Sequence, residues 1–293
     1  MEPELASSVR AELGEGPSWD AEKGVLYWID IRQGLIFSHM LGIQDDEIVA
    51  TAKGVSCVVP RKSGGLALTL KHGFYSLDTT SKKLEEISEK VETDMDENRF
   101  NDGKCDPAGR FWAGTMDETE KSPAGSLYCL EKNRKLKKVL SSITISNGLG
   151  WSPDNTKMYY IDTPTRKVWS FDYSLLSGEI SNRKTAADFS ENRQEGSPDG
   201  MAVDAEGMIW VAHWGGARVT RWNPSSAKLL ETLHIPADQV TSLCFAGEHL
   251  DELFITSARS GLDAKVLAAK PLAGSLFVAK VGVRGLPTNS YEG

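Results

Sequence analysis

One pattern recurs six times along this 293-residue chain: a short apolar segment, a tight turn, and an aromatic-rich stretch. The turns use Asp, Pro, Asn and Gly, which tight turns favour, and the stretches after them are rich in residues that favour β-strands. Two copies, at 55–70 and 241–258, are weaker than the others. The four clear copies are GEGPSWDAEKGVLYWIDI (14–31), NDGKCDPAGRFWAGTMD (101–117), SNGLGWSPDNTKMYYIDT (146–163) and SPDGMAVDAEGMIWVAHW (197–214).

The spacing of the copies indicates a β-propeller. Corresponding turns fall near residues 20, 60, 106, 152, 204 and 245, a period of about 40–50 residues that is typical of a four-stranded propeller blade. A further hairpin-like segment follows each copy and supplies the remaining strands. We therefore predict an all-β protein, a six-bladed β-propeller with four antiparallel strands per blade, built as a single domain over residues 1–293. We expect residues 4–13 to add an outer strand to the last blade.

Charge and composition exclude several classes of function. The formal net charge of −8 argues against a nucleic-acid partner, because phosphate binding requires clustered Lys and Arg. The acidic N-terminus lacks the apolar segment of a signal peptide, and no run of residues is apolar enough to span a membrane. The four cysteines lie in apolar segments and are expected to be buried and reduced, although a disulfide between two of them stays open. We expect a cytoplasmic protein that is a monomer or a weak dimer.

The register of the repeats aligns four oxygen-bearing side chains. Counting back five residues from the turns places Glu15, Asn101, Asn147 and Asp199 at equivalent positions, whereas the two weaker copies offer no such side chain there. The first strand of every propeller blade lines the central channel. The four side chains are therefore predicted to converge at one channel mouth.

Two carboxylates and two amides that face each other favour a bound cation, because buried carboxylates without a counter-charge resist ionisation. A set made only of oxygen donors suits Ca²⁺, Mg²⁺ or Mn²⁺, and Zn²⁺ stays open. The alternative interpretation is that these side chains cap strands and bond to neighbouring backbone.

At these positions the chain resembles the regucalcin/gluconolactonase family. The segments that carry the resemblance are GEGPSWD, NRFNDGKCDPAGRFWAGTM, SNGLGWSPD and SPDGMAVDAEGMIWVA, and the similarity covers nearly the whole chain. The resemblance implies a six-bladed propeller that holds a divalent metal and hydrolyses sugar lactones. It implies Glu15, Asn147 and Asp199 as metal ligands.

The resemblance also implies that Arg99 and Asn101 contact the lactone. The family's substrate-contacting Glu after GTM falls on Thr119 in this chain, so we assign that role to the neighbouring acids Asp117 and Glu118, with Glu120 as a further substitute.

We predict a lactonase in which Asp199 is the general base and the partner is a small sugar lactone. Two alternatives stay open. One is a propeller that binds metal in a non-enzymatic, calcium-regulatory role, and the other is a phosphotriesterase-like hydrolase that uses the same metal site. The sequence contains no P-loop, no nucleophile elbow and no dinucleotide fingerprint.

Overall fold

The computed structural model describes residues 2–191 and 195–293. Strands dominate this part of the chain. Two short helices interrupt them, the 3₁₀ helix Thr163–Thr165 and α1, Ala264–Ala269. No helix in the described residues is long and apolar enough to cross a membrane. The predicted all-β class is confirmed.

The described residues contain 24 strands in six antiparallel groups of four, which we call units 1 to 6. Strand β1 (Glu4–Leu5) precedes unit 1. Units 1 and 2 are β2 (Gly14–Asp20), β3 (Val25–Asp30), β4 (Leu35–Met40) and β5 (Glu47–Thr51), then β6 (Cys57–Pro60), β7 (Leu66–Leu70), β8 (Gly73–Leu77) and β9 (Leu84–Glu86). Units 3 and 4 are β10 (Asn98–Cys105), β11 (Phe111–Asp117), β12 (Gly125–Leu130) and β13 (Leu136–Ile143), then β14 (Ser146–Trp151), β15 (Lys157–Asp162), β16 (Lys167–Tyr173) and β17 (Ile180–Asp188). Unit 5 is β18 (Ser197–Val203), β19 (Ile209–Trp214), β20 (Arg218–Asn223) and β21 (Lys228–His234), and unit 6 is β22 (Gln239–Ala246), β23 (Glu252–Ala258), β24 (Phe277–Lys280) and β1.

The N-terminal strand completes unit 6. Strand β1 pairs antiparallel with β24, with Glu4 opposite Val278 and Leu5 opposite Phe277. The outer strand expected from the N-terminal segment is therefore present. A single pair, Trp214 opposite Gln239, also joins units 5 and 6 into one eight-stranded sheet.

The first strands of the six units form a ring of neighbours. Strands β2, β6, β10, β14, β18 and β22 each contact the next one in this order, and β22 also contacts β2. The hydroxyl of Thr241 on β22 donates a hydrogen bond of 2.6 Å to the Gly14 carbonyl on β2. We call these six the inner strands, and the space that they surround the channel.

The hydrophobic core lies between successive units. Phe74 of unit 2 meets Phe100 of unit 3 edge-on, with ring centroids 5.0 Å apart, and Trp112 of unit 3 meets Trp151 of unit 4 at 6.1 Å. Each large side chain buried this way stabilises the fold by about 1.5–3 kcal/mol. All four cysteines are buried and free, which confirms the expected reduced state.

The C-terminal tail crosses the end of the channel at which the inner strands end, which we call the far mouth. Gly285 bridges to Asp204 next to the end of β18, and Tyr291 bridges to Arg61 just after β6. Tyr291 is fully buried and anchors the tail. The opposite end, where the inner strands begin, is called the near mouth.

Candidate functional site at the near mouth

Backbone irregularities turn the predicted site residues toward one another. The pairing register of β2 shifts between Glu15 and Ser18, and that of β14 shifts between Asn147 and Leu149. Similar shifts enclose Asn101 in β10 and Asp199 in β18. Such bulges bend a strand and re-aim its side chains, and they are frequent next to active sites. Each of the four residues therefore lies next to or inside a register shift of its inner strand.

Two glycines allow the inner strands to approach closely at this level. A Cβ atom on Gly148 would lie 2.8 Å from the Asp199 carbonyl oxygen, and a Cβ atom on Gly200 would lie 2.2 Å from the hydroxyl of Ser242. A larger residue would push the neighbouring strands apart. The glycines that follow Asn147 and Asp199 thus hold these two side chains at close range.

Hydrogen bonds order the two amides. The Asn101 Nδ2 donates to the Ser146 carbonyl at 2.8 Å and to Asn147 Oδ1 at 2.9 Å. The Asn147 Nδ2 donates to Thr163 Oγ1 at 2.8 Å, and that hydroxyl donates to the Pro198 carbonyl at 2.8 Å. This chain fixes which amide atom is oxygen, and it leaves Asn147 Oδ1 with a further lone pair for a cation.

Arg99 supports the same network from below the surface. Its Nη1 donates to Asn101 Oδ1 and to the Phe100 carbonyl, both at 2.8 Å, and its Nε donates to Glu118 Oε1 at 3.0 Å. Burial lowers the pKa of the Arg99 guanidinium, and the Glu118 carboxylate opposes that shift. Arg99 is therefore a buried and oriented cation beside Asn101.

Three carboxyl groups are buried together in the channel. Burial and then the Asp102 charge raise the pKa of Glu15 to about 8. Burial and then the Glu15 and Asp102 charges raise the pKa of Asp199 well above its ordinary value. The charges of Glu15 and Asp102 therefore act on Asp199, and that of Asp102 on Glu15, so the site carries more acid than the repeat register predicted.

Asp102 is the site residue that sequence reasoning missed. Its Oδ1 accepts a hydrogen bond of 2.7 Å from the Gly103 amide, whereas its Oδ2 is buried without a hydrogen-bond partner in the described part of the chain. Burial raises the pKa of this carboxyl group. The signal in the sequence was the extra residue between Asn101 and its glycine, which places an acid inside the register shift of β10.

The donor set fits a hard divalent cation. The possible ligands offer only oxygen atoms: Glu15, Asp102, Asn147 and Asp199. The Asp102 oxygen that has no hydrogen-bond partner among the described residues is available to pair with positive charge. No group of three or more His, Cys, Asp and Glu side chains across residues 2–191 and 195–293 is arranged to hold a metal. The predicted ligand set contains only two such side chains, Glu15 and Asp199, and its third member is the amide of Asn147.

The three acids after Met116 have different surroundings. The carboxylate of Asp117 accepts hydrogen bonds from the amide and hydroxyl of Thr119, at 2.9 and 2.7 Å, and these bonds lower its pKa. Glu118 pairs with Arg99, as described above. Glu120 is exposed, and its charge contributes to the raised pKa of Asp199. Asp117 is thus engaged in its own loop, whereas Glu118 pairs with Arg99 and the charge of Glu120 acts on Asp199.

Comparison with known proteins shows the family of this chain. A sequence model described as the SMP-30/Gluconolactonase/LRE-like region matches residues 13–259, which contain all of the inner-strand site residues. The chain belongs to this family. It is 40% identical over 288 residues to regucalcin of Danio rerio, covering 96% of this chain and 95% of the relative.

Two solved structures of family relatives have the same architecture. A luciferin-regenerating enzyme is 34% identical with a TM-score of 0.89, covering 99% of both chains. A regucalcin from Agrobacterium tumefaciens, described as a calcium-binding protein, is 27% identical with a TM-score of 0.93, covering 99% of this chain and 97% of that one.

Proposed function

We propose that this protein is a divalent-metal-dependent hydrolase that opens sugar lactones. The observation that carries the proposal is the buried set of Glu15, Asp102 and Asp199 beside the oriented amide of Asn147. Membership of a family named for gluconolactonase supports the choice of substrate. A small sugar lactone is the proposed partner.

The proposed frame is a six-bladed β-propeller that forms one domain. Six four-stranded units and the ring of contacts among their inner strands support this architecture. In a propeller the channel mouth collects side chains from several blades, which explains how residues 184 positions apart, Glu15 and Asp199, act in one site.

Glu15, Asn147 and Asp199 are the proposed ligands of the divalent cation, which is Ca²⁺, Zn²⁺, Mn²⁺ or Mg²⁺. A cation bound there would polarise the lactone carbonyl and make a nearby water more acidic. Asp102 adds negative charge behind the ligands and increases the attraction for the cation. The Agrobacterium relative, described as calcium-binding, supports the general class of metal.

Asp199 is the proposed general base. Burial and the neighbouring Glu15 carboxylate raise its affinity for a proton, which suits a group that must take a proton from water. The water oxygen adds to the carbonyl carbon, the ring C–O bond breaks, and the departing oxygen takes up a proton. The product is the open hydroxy acid.

Arg99 and Asn101 are the proposed substrate contacts at the channel mouth. Arg99 is held rigidly by Glu118 and the Phe100 carbonyl, so its remaining N–H groups have a fixed direction. Glu118 and Glu120 offer acceptors for sugar hydroxyls from the loop above. Asp117, which is bound to Thr119, supports that loop from within and is the weakest of the substrate contacts that we assigned.

The test is a panel of lactones assayed after chelation and after return of Ca²⁺, Mg²⁺, Mn²⁺ or Zn²⁺. We expect hydrolysis to disappear on chelation and to return with at least one ion. Asp199→Asn should abolish turnover, whereas the exposed Asp94→Asn is the matched control and should retain it. Full activity in the chelated protein would contradict metal dependence.

A calcium-binding role without catalysis is the second candidate, favoured by the description of the Agrobacterium relative. The same panel separates the two. Tight metal binding with no turnover of any lactone would support the second candidate and reject the first.

A further inference from the structure

A partly open cavity lies at the far mouth, at the opposite end of the channel from the proposed catalytic site. Its volume is about 290 Å³, near the lower end of the range of about 300–1,000 Å³ that small-molecule sites occupy. Every inner strand contributes a residue to its wall: Ser18, Val59, Lys104, Leu149, Ala202 and Cys244. The cavity is therefore centred on the channel.

The C-terminal tail forms one wall of this cavity. Residues 286–289 line it between two firm anchors, the Gly285 bridge to Asp204 and the Tyr291 bridge to Arg61. The contacts of the tail between these anchors are long. The Leu286 amide lies 3.4 Å from the Val203 carbonyl, and the Asn289 side chain lies 3.4 Å from the Cys105 carbonyl. Between its anchors the tail is therefore held by few hydrogen bonds to the inner strands.

The wall has one charge and an apolar majority. Among the described residues that line the cavity, Lys104 alone is charged, and its charge also acts on the buried carboxyl groups of Asp102 and Glu15, whose pKa values burial raises and this charge lowers. Trp151, Phe245 and Leu286 are among the apolar residues of the wall. On a protein with a net charge of −8, a cavity with a single cation is an unusual point of attraction for anions.

Lys104 crosses the channel within the fold. Its ammonium donates a hydrogen bond to the Met201 carbonyl on β18, so it reaches from unit 3 to unit 5. An ammonium has three N–H groups, and this bond uses one. The side chain is half-buried, and an ion pair formed there is less screened than one on the surface.

We propose that the far-mouth cavity binds a small carboxylate with an apolar body, whose charged group pairs with Lys104 and whose body packs against Trp151, Phe245 and Leu286. The cavity is too small for a large ligand, and most of the residues of its wall are apolar. The proposal does not rest on the lactonase assignment, because it uses no residue of the near mouth.

The experiment is calorimetric titration of the full chain with benzoate and with benzyl alcohol, the uncharged compound of similar shape. We expect one benzoate per chain and binding of benzyl alcohol at least 10-fold weaker. Lys104→Met should weaken benzoate binding at least 10-fold. Thr288→Trp, which fills the cavity from the tail, should abolish binding while lactone hydrolysis persists.

Two further variants locate the site. Lys132→Met removes an exposed lysine that pairs with Glu292 and should leave the affinity for benzoate within 2-fold. Arg99→Met removes the cation of the near mouth and should also leave it unchanged. Loss of binding in Arg99→Met with retention in Thr288→Trp would place benzoate at the near mouth and overturn the proposal. Absence of benzoate binding at millimolar concentration would overturn it as well.

Discussion

Buried carboxylates occur in two regions of this protein, at the turns after the inner strands and inside the near mouth. At the turns, Asp106 and Asp204 are completely buried. In the near mouth, Glu15, Asp102 and Asp199 are almost as deeply buried. The same kind of side chain at similar depth therefore serves in both places, and the partners make the difference.

The turn carboxylates have a full set of donors. Asp106 accepts hydrogen bonds from the Arg110 guanidinium at 2.6 Å, from the Trp112 indole at 2.8 Å and from the Tyr173 hydroxyl at 2.8 Å, besides backbone amides. Asp204 repeats the arrangement with an indole and an arginine. A buried charge is tolerated when it is paired and hydrogen-bonded in this way.

The near-mouth carboxylates lack such partners. Asp102 has an oxygen with no hydrogen-bond partner in the described residues, and burial together with neighbouring carboxylates raises the pKa of Glu15 and of Asp199. The comparison teaches that depth of burial does not identify a functional acid in this fold. Unsatisfied oxygen atoms do, because they are retained at a cost in stability that a ligand can offset.

Of the variants that test this comparison, Asp199→Asn should have the largest effect on activity. We expect kcat/KM for the best lactone to fall at least 10³-fold, about 4 kcal/mol of transition-state stabilisation, because the proposed base and metal ligand is lost. The free energy of unfolding of the metal-free protein should stay the same or rise, since one of several repelling acids is removed. If the variant lost stability but kept its turnover, Asp199 would have the structural role of the turn carboxylates and the proposed catalytic role would be wrong.

Asp106→Asn should show the opposite pattern. We expect the free energy of unfolding, measured by urea titration, to fall by about 3 kcal/mol, because the Arg110 charge is left buried without its counter-charge. Turnover per folded molecule should be retained. The exposed Asp94→Asn provides the baseline, and a stability equal to that baseline would contradict the structural role of Asp106.

The pH dependence of stability should distinguish the two regions in the metal-free protein. Folded Glu15 has a pKa of about 8, against an ordinary value of 4.5, so the folded state holds more protons between these limits. The contribution of this group to stability should therefore be greatest below about pH 4.5 and should fall by about 4 kcal/mol as the pH rises to about 8. Added Ca²⁺ should remove the decline. Thermal unfolding at successive pH values would measure it, and a profile unchanged by Glu15→Gln would contradict this assignment.

The loop acids should give the smallest effects. Glu120→Gln is expected to raise KM about 5-fold, roughly 1 kcal/mol, because the exposed Glu120 carboxylate is a proposed acceptor for sugar hydroxyls. Asp117→Asn should leave KM within 2-fold, since its carboxylate bonds to Thr119 in its own loop. Initial rates over a range of lactone concentration would test both, and a reversed order would restore Asp117 as the substrate contact.

Much of the fold and part of the site could be predicted from the sequence. The turn residues and aromatic strands recur with a fixed period, so the strand groups and the added N-terminal strand followed from local patterns. The alignment of Glu15, Asn101, Asn147 and Asp199 followed from the same period. Asp102 did not, because its lack of partners depends on side chains from other units. The different surroundings of Asp117, Glu118 and Glu120 could not be predicted either, because they depend on the conformation of one loop.

The sequence by itself therefore determined the strands, their repeat and the equivalence of four oxygen donors, because these depend on neighbouring residues and on counting. Only the tertiary structure decided which buried acids have partners and how Lys104 spans the channel. It also decided that the ends of six strands and the C-terminal tail line a cavity at the far mouth. Those features depend on contacts between residues far apart in the chain, and no local pattern records such contacts.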